Sequence, residues 1–316
     1  MNLEIGLFVQ QDSQVTQRIN SHDGPEFYLK LARLADELGY NSFWQPDHWM
    51  LPGNTATFDC WSLLAAVAAI TSRIKLGSLV TPIVGYPPLV LSKRVLTVHA
   101  LSKGRVILGV GAGWYQNEFN AFGVKFENHK ARTEMLEEAL RLMRVVWEAE
   151  EPVDYRGKYY KVRGAVLKPR FDRPPIWLGG SSEKILDLVA RHGEGWIPYE
   201  IAAPEYSTRV VKINEMLERL GRKKDDVRMA VATRVVAGRT EEKAIEILRR
   251  MGIARDYETP TGQKGHLVAG SYEKCTEELS RYVDAGAGCL VLSPQPSDKS
   301  EKLLPVLKQD VLSKII

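Results

Sequence analysis

Arg105-Val-Ile-Leu-Gly-Val-Gly-Ala-Gly-Trp-Tyr-Gln-Asn-Glu-Phe119 joins a short apolar run to a cluster of glycines. Val106 to Val110 is bounded at both ends and rich in β-branched residues, so it reads as a buried strand rather than a helix. Gly109, Gly111 and Gly113 follow two apart. Residues without a Cβ let the backbone turn sharply and approach a flat or anionic group closely. Trp114 and Tyr115 come immediately after. A strand that opens into a glycine mouth flanked by aromatics can floor a cofactor. It can equally be a tight turn, and the flanking segments have to decide.

On either side of this stretch, strands and helices alternate. Leu3–Val9 is a strand, and Pro25–Leu38 a helix with Phe27, Leu31, Leu34, Ala35 and Leu38 on one face. Pro25 suits a first helical turn and Gly39 a C-terminal stop. Ser42–Gln45 is the second strand, followed by a helix to Ile70 capped by Asp59. Arg73–Leu79 is the third strand, Leu89–Leu101 a helix, Val106–Val110 the fourth strand and Lys130–Ala149 a long helix. Val153–Val162 and Val166–Lys168 form a small hairpin excursion turning at Arg156-Gly157-Lys158. The rhythm then resumes with strands Pro175–Leu178, Gly195–Pro198, Val227–Val236 and Cys289–Leu292. Helices Glu183–His192, Glu205–Leu220, Glu241–Met251, Tyr272–Ala285 and Lys299–Ile315 accompany them. Gly252–Gly270 reads as a polar loop. Eight strands in this alternation favour an α/β fold of the closed (β/α)8 TIM-barrel type, with a hairpin insertion after the fourth helix and a lid loop after strand seven. An open doubly wound sheet is the runner-up. No Pro/Gly/Ser linker or repeat divides the chain, so residues 1–316 read as a single domain.

The 316 residues suffice for one large barrel core. Hydrophobic content of 44% and charged content of 26% are ordinary for a globular enzyme. A net charge of +4, spread along the chain, is too weak to argue for nucleic acid. No apolar run approaches the roughly 20 residues of a membrane span, and no leader pattern precedes the first strand. The three cysteines, Cys60, Cys275 and Cys289, have no metal-ligand spacing. They read as reduced structural thiols of a cytoplasmic protein.

In a barrel of this type chemistry belongs at the C-terminal strand ends. Strand two ends in Gln45-Pro46-Asp47-His48-Trp49, which places His48 at a strand end; the other five histidines fall in helices or loops. Histidine moves protons near neutral pH, although Asp47 and His48 could also do no more than tie a loop. Strand three ends in Gly77-Ser78-Leu79-Val80-Thr81-Pro82, and strand five in Gly179-Gly180-Ser181-Ser182 leading into a helix. Glycines and hydroxyls at a helix N-terminus suit an anion; an ordinary serine cap is the plainer reading. A nicotinamide dinucleotide site is excluded at the glycine run, because Trp114 stands where G-x-G-x-x-G needs its last glycine and the run follows the fourth strand. The charge runs Glu148/Glu150/Glu151 and Lys223-Lys-Asp-Asp226 read as solvated helix ends, and Asp154–Tyr160 as a packed hairpin.

These segments resemble the bacterial luciferase-like superfamily of flavin- and deazaflavin-dependent oxidoreductases. The resemblance rests on Gly104–Trp114 with Glu118-Phe119, then Phe122-Gly123 and Arg132. Ala35–Trp44, Thr71–Ser78, Pro175–Gly180 and Gly193–Trp196 support it. Within the superfamily the chain is most similar to the coenzyme F420-dependent, methylenetetrahydromethanopterin reductase-like branch. The resemblance implies a cytoplasmic homodimer that moves a hydride between coenzyme F420 and a small organic substrate. Asp47 and His48 would lie at the reaction centre, with His48 handling the proton. A non-proline cis peptide near Ser78, Leu79 and Val80 would back the ring, with Gly111, Ala112 and Gly113 as its mouth and Trp114 beside it. Gly179, Gly180 and Ser181 would hold the cofactor phosphate, and 252–270 would be a lid that excludes water. Related sugar-phosphate and alcohol dehydrogenases carry a catalytic glutamate where this chain has Trp114, which argues against their substrates. The alternatives are an FMN-dependent monooxygenase served by a flavin reductase, and a cofactor-free accessory or binding subunit.

Overall fold

The computed structural model describes residues 2–10, 24–258 and 264–315. Eight parallel strands close a barrel: β1 (Glu4–Phe8), β2 (Ser42–Gln45), β3 (Lys75–Ser78), β4 (Val106–Gly111), β5 (Ile176–Leu178), β6 (Gly195–Trp196), β7 (Arg228–Gly238) and β8 (Cys289–Pro294). Each pairs with the next in sequence. β8 returns to β1 with Glu4 opposite Cys289 and Leu7 opposite Leu292. Around them lie α1 (Gly24–Glu37), α2 (Cys60–Ile70), α3 (Pro88–Leu101), α4 (Gln116–Ala121), α5 (His129–Glu148), α6 (Glu183–His192), α7 (Ala203–Arg219), α8 (Glu241–Met251), α9 (Tyr272–Asp284) and α10 (Ser300–Val306). Among the described residues no helix is long and apolar enough to cross a membrane.

Both strand faces are buried, one under the helices and one inside the barrel, which is why the strands read as continuous apolar runs. The interior holds Phe8, Trp44, Ile107, Trp177, Ile197, Ala230, Ala232, Cys289 and Val291. Trp44 and Trp177 meet with ring centroids 5.3 Å apart. Glycines on neighbouring strands make room for them: a Cβ on Gly77 would overlap the Trp44 ring, and one on Gly195 the Trp177 ring. Two indoles therefore fill the centre, and the barrel is a packed core rather than a channel.

Local signals set most helix starts. Asp59 accepts the Ser62 N–H at 2.7 Å, and Asn128 accepts the Ala131 N–H at 2.9 Å to start α5. Asn128 is exposed and uncharged, so Asn128→Ala should cost about 1 kcal/mol of unfolding free energy and nothing else. A urea titration checks this, and an unmoved midpoint contradicts the cap.

Several expectations need correction. Val166–Lys168 is not a strand; the hairpin pairs Val153–Arg156 with Lys161–Ala165. The stretch 252–270 is not a plain loop. Asp256–Glu258 pairs antiparallel with Lys264–His266, and Val268–Ser271 then adds in parallel to the end of β7; residues 259–263 lie outside the described set. His266 is accordingly in a strand, while His22 lies outside the described residues. The last helix ends at Val306 and continues as wider and tighter turns to Lys314. Pro305, which lacks an N–H to donate, sits inside it. The short helix α4 was missed.

Candidate active site

The floor of the mouth forms where β3 leaves the barrel. Ser78 Oγ takes over the ladder, donating to the Gly109 carbonyl at 2.8 Å and accepting the Gly109 N–H at 3.1 Å. The Leu79–Val80 peptide is cis, and pairing resumes with Thr81 opposite Val110. Gly109 must lack a side chain, because its Cβ would overlap the Ser78 carbonyl oxygen. Val80 then lies between two further glycines: a Cβ on Gly111 would stand 2.8 Å from it, and one on Gly179 3.0 Å. Strands β3, β4 and β5 are thus drawn together around one valine, which leaves a narrow, largely backbone surface.

The adjoining wall rises from the end of β2. His48 Nδ1 lies 3.0 Å from Glu118 Oε2, and the same carboxylate accepts the N–H of Trp49 and, at 3.0 Å, that of Met50. Glu118 is carried by α4. Its neighbour Phe119, fully buried, packs against Trp49 and Phe126 at centroid distances of 5.3 and 5.0 Å and pins that helix. The His48 ring meets the edge of Trp114 at 5.8 Å.

Asp47 turns the other way, into the protein. Trp49 Nε1 donates to Tyr86 Oη at 2.9 Å, and the Tyr86 hydroxyl donates to Asp47 Oδ1 at 2.9 Å. Burial pushes the Asp47 carboxyl up from 3.8 to about 6, against the pull of the Thr81 and Tyr86 hydroxyls. An acid raised in the folded state binds more protons there than in the unfolded chain, so its contribution to stability falls as pH climbs through that interval. Wild type should therefore lose about 3 kcal/mol relative to Asp47→Asn between about pH 4 and pH 7. Denaturant titrations of both proteins across that range decide the matter; a constant difference contradicts it.

Opposite the wall, β5 runs into Gly179-Gly180-Ser181-Ser182 and α6. Gly180 has φ +98°, open to glycine at little strain, and its carbonyl accepts Trp196 Nε1–H at 2.8 Å. The Ser182 hydroxyl is buried without a partner among the described residues. Glu183, in the first turn, is drawn outward by Arg209 and Lys212.

The paired strands Asp256–Glu258 and Lys264–His266 after α8 reach Glu200, beyond the end of β6, and Arg234 of β7. The His266 N–H donates to the Glu200 carbonyl at 2.7 Å. The Glu200 side chain, inaccessible to solvent, pairs with Arg234 and accepts from the Tyr257 hydroxyl. His266 contacts Glu278 through Nε2 and Asp256 through Nδ1, and those carboxylates, Glu278 foremost, raise its pKa.

Ser78, Leu79, Val80, Gly111, Ala112, Gly113, Trp114, Asp47 and His48 thus gather at the ends of strands two to four. Gly179 joins them through Val80, and Gly180 and Ser181 lead on to α6. Asp47 and His48 diverge, and the carboxylate that touches His48 belongs to Glu118. Sequence reading placed Glu118 among the residues that carry the resemblance but gave it no role in the site, although it is the lone acid within the aromatic stretch Trp114–Phe122. Tyr86 and the Glu200–Arg234–Tyr257 group were missed too, and no local pattern points to them.

Fold and mouth define a (β/α)8 barrel, an architecture whose enzymes carry their chemistry at the C-terminal strand ends. The luciferase-like monooxygenase family model matches residues 1–289, and the chain belongs to that family. An F420-dependent glucose-6-phosphate dehydrogenase of Amycolatopsis mediterranei is 28% identical, covering 92% of this chain and 95% of the relative. One of the same name from Kineococcus radiotolerans is 32% identical, covering 85% and 87%. Among solved structures, an F420-dependent secondary alcohol dehydrogenase in complex with an F420-acetone adduct superposes with a TM-score of 0.80 at 22% identity, covering 100% of this chain and 98% of that one.

Proposed function

We propose that this chain transfers a hydride between coenzyme F420 and a small organic substrate, with His48 as the proton-handling residue. The observation that carries the reading is the convergence at one barrel mouth of a glycine-lined floor and a histidine whose Nε2 has no hydrogen-bond partner among the described residues. The names of the relatives described above support the choice of cofactor.

The residues fit such a group. Ser78, Leu79, Val80, Gly111, Ala112 and Gly113 lie together at the mouth, where side chains on Gly109, Gly111 or Gly179 would collide with Ser78 and Val80, so the strands meet there backbone to backbone. Trp114 flanks the mouth. Gly179, Gly180 and Ser181, together with the unpartnered Ser182 hydroxyl, offer donors to a phosphate at the positive end of α6. Bound there, the deazaflavin supplies a carbon centre that accepts or gives up a hydride. The protein handles the proton. When a substrate hydroxyl becomes a carbonyl, its proton passes to His48 Nε2; in the reverse direction the same nitrogen returns it. The hairpin over β6 and β7 shields the mouth from water. The same reading includes a cytoplasmic homodimer, which gel filtration with light scattering checks.

The test is an oxygen-free assay of deazaflavin absorbance with a panel of small alcohols, aldehydes and ketones, in which glucose 6-phosphate and simple secondary alcohols stand as the substrates that Trp114 argues against. Substrate-dependent bleaching of the oxidised coenzyme supports the proposal. Oxygen consumption with reduced FMN, and no reaction of F420, replaces it with the monooxygenase.

A further inference from the structure

We infer that Glu118 is a positioning residue that fixes the tautomer of His48, so that Nδ1 carries the hydrogen and Nε2 is the free base. The inference rests on the role proposed above for His48. Its support is the accounting of donors at one buried carboxylate, of which 1% is exposed. The backbone N–H groups of Trp49 and Met50 can only donate, and both reach Oε1. They hold the carboxylate against the turn that carries His48 and leave Oε2 for the ring, 3.0 Å from Nδ1. A carboxylate oxygen accepts, so Nδ1 donates and Nε2 keeps its lone pair. Among the described residues Nε2 has no hydrogen-bond partner.

The pair is also rigid. Phe119 fixes α4 from one side, and the two backbone donors fix the carboxylate from the other. A proton arriving at Nε2 makes an imidazolium whose charge faces a buried carboxylate, so the ring takes up the proton without having to reorient. Position 114 holds tryptophan, and the carboxylate of this site enters from four residues further on, behind the histidine rather than beside the substrate. That placement makes Glu118 a partner of His48 and not a second acid for the substrate.

The experiment has two readouts. The first is the imidazole ¹⁵N spectrum of His48 in the unliganded wild-type protein above the pKa of the ring. A protonated Nδ1 and a bare Nε2 are expected, and the opposite tautomer overturns the inference. The second is Glu118→Gln. Its amide oxygen can still accept from Trp49 and Met50, while its NH₂ faces Nδ1 and selects the wrong tautomer. Turnover should fall by about 10²-fold or more, with the acid limb of the pH–rate profile displaced and F420 affinity unchanged. Glu118→Asp should recover part of the rate. A double variant with His48→Ala should be no slower than His48→Ala alone. Wild-type rate and pH profile in Glu118→Gln overturn the inference. If His48→Ala is itself without effect, the proposed function fails, and the ¹⁵N spectrum still reports separately on the tautomer.

Discussion

Replacing His48 with alanine lowers turnover by about 10²–10⁴-fold, the range usually lost with a positioned general acid–base group, and leaves the affinity for F420 unchanged. The split follows from geometry. The ring stands on the wall beside Trp114 and not in the floor around Val80. Alanine also leaves Glu118 with both its backbone donors, so the 48–50 turn keeps its anchor. Steady-state rates and a separate binding titration measure the two effects. Unchanged turnover removes His48 from the mechanism, and a parallel loss of affinity and rate makes it a binding residue instead.

Gly109→Ala carries the largest expected effect on stability. The added methyl would overlap the Ser78 carbonyl oxygen, a backbone atom with no rotamer to retreat into. Relief requires moving β3 away from β4, which breaks the two hydrogen bonds between Ser78 Oγ and Gly109. The penalty should be about 3 kcal/mol or more, the upper range of overpacked cores, and should be accompanied by loss of F420 binding. Chemical denaturation of the variant against wild type measures it. An equal midpoint would show that the floor tolerates a side chain, contrary to the close approach described.

The barrel was legible because its strands are buried on both faces and its helices bury one face each. Apolar runs such as Val106–Val110 and the helical spacing of Phe27, Leu31 and Leu34 are imprints of that layering. The mouth was legible where backbone demand shows as composition: glycines 109, 111 and 113 and the Gly179-Gly180 pair leave no space for side chains or turn the chain. What escaped was held by distant partners. The hairpin at 256–266 has three-residue strands and no apolar alternation. Its contacts to Glu200, Glu278 and Arg234 come from elements far along the chain. Glu118 escaped for a related reason. Its role shows only once the β2 exit brings three donors to its carboxylate. Asp47 and His48 are adjacent in sequence and were read as one pair; consecutive residues leaving a strand point to opposite sides, and these two do.

Hydride transfer to or from F420 requires that the coenzyme bind at this mouth, and binding is measured directly. Purified protein is titrated separately with coenzyme F420 and with FMN while tryptophan fluorescence is followed, since Trp114 stands beside His48 at the mouth. Saturable quenching by F420 is expected at concentrations where FMN leaves the signal unchanged. Tighter binding of FMN, or no response to either, would overturn the assignment of F420 to this mouth.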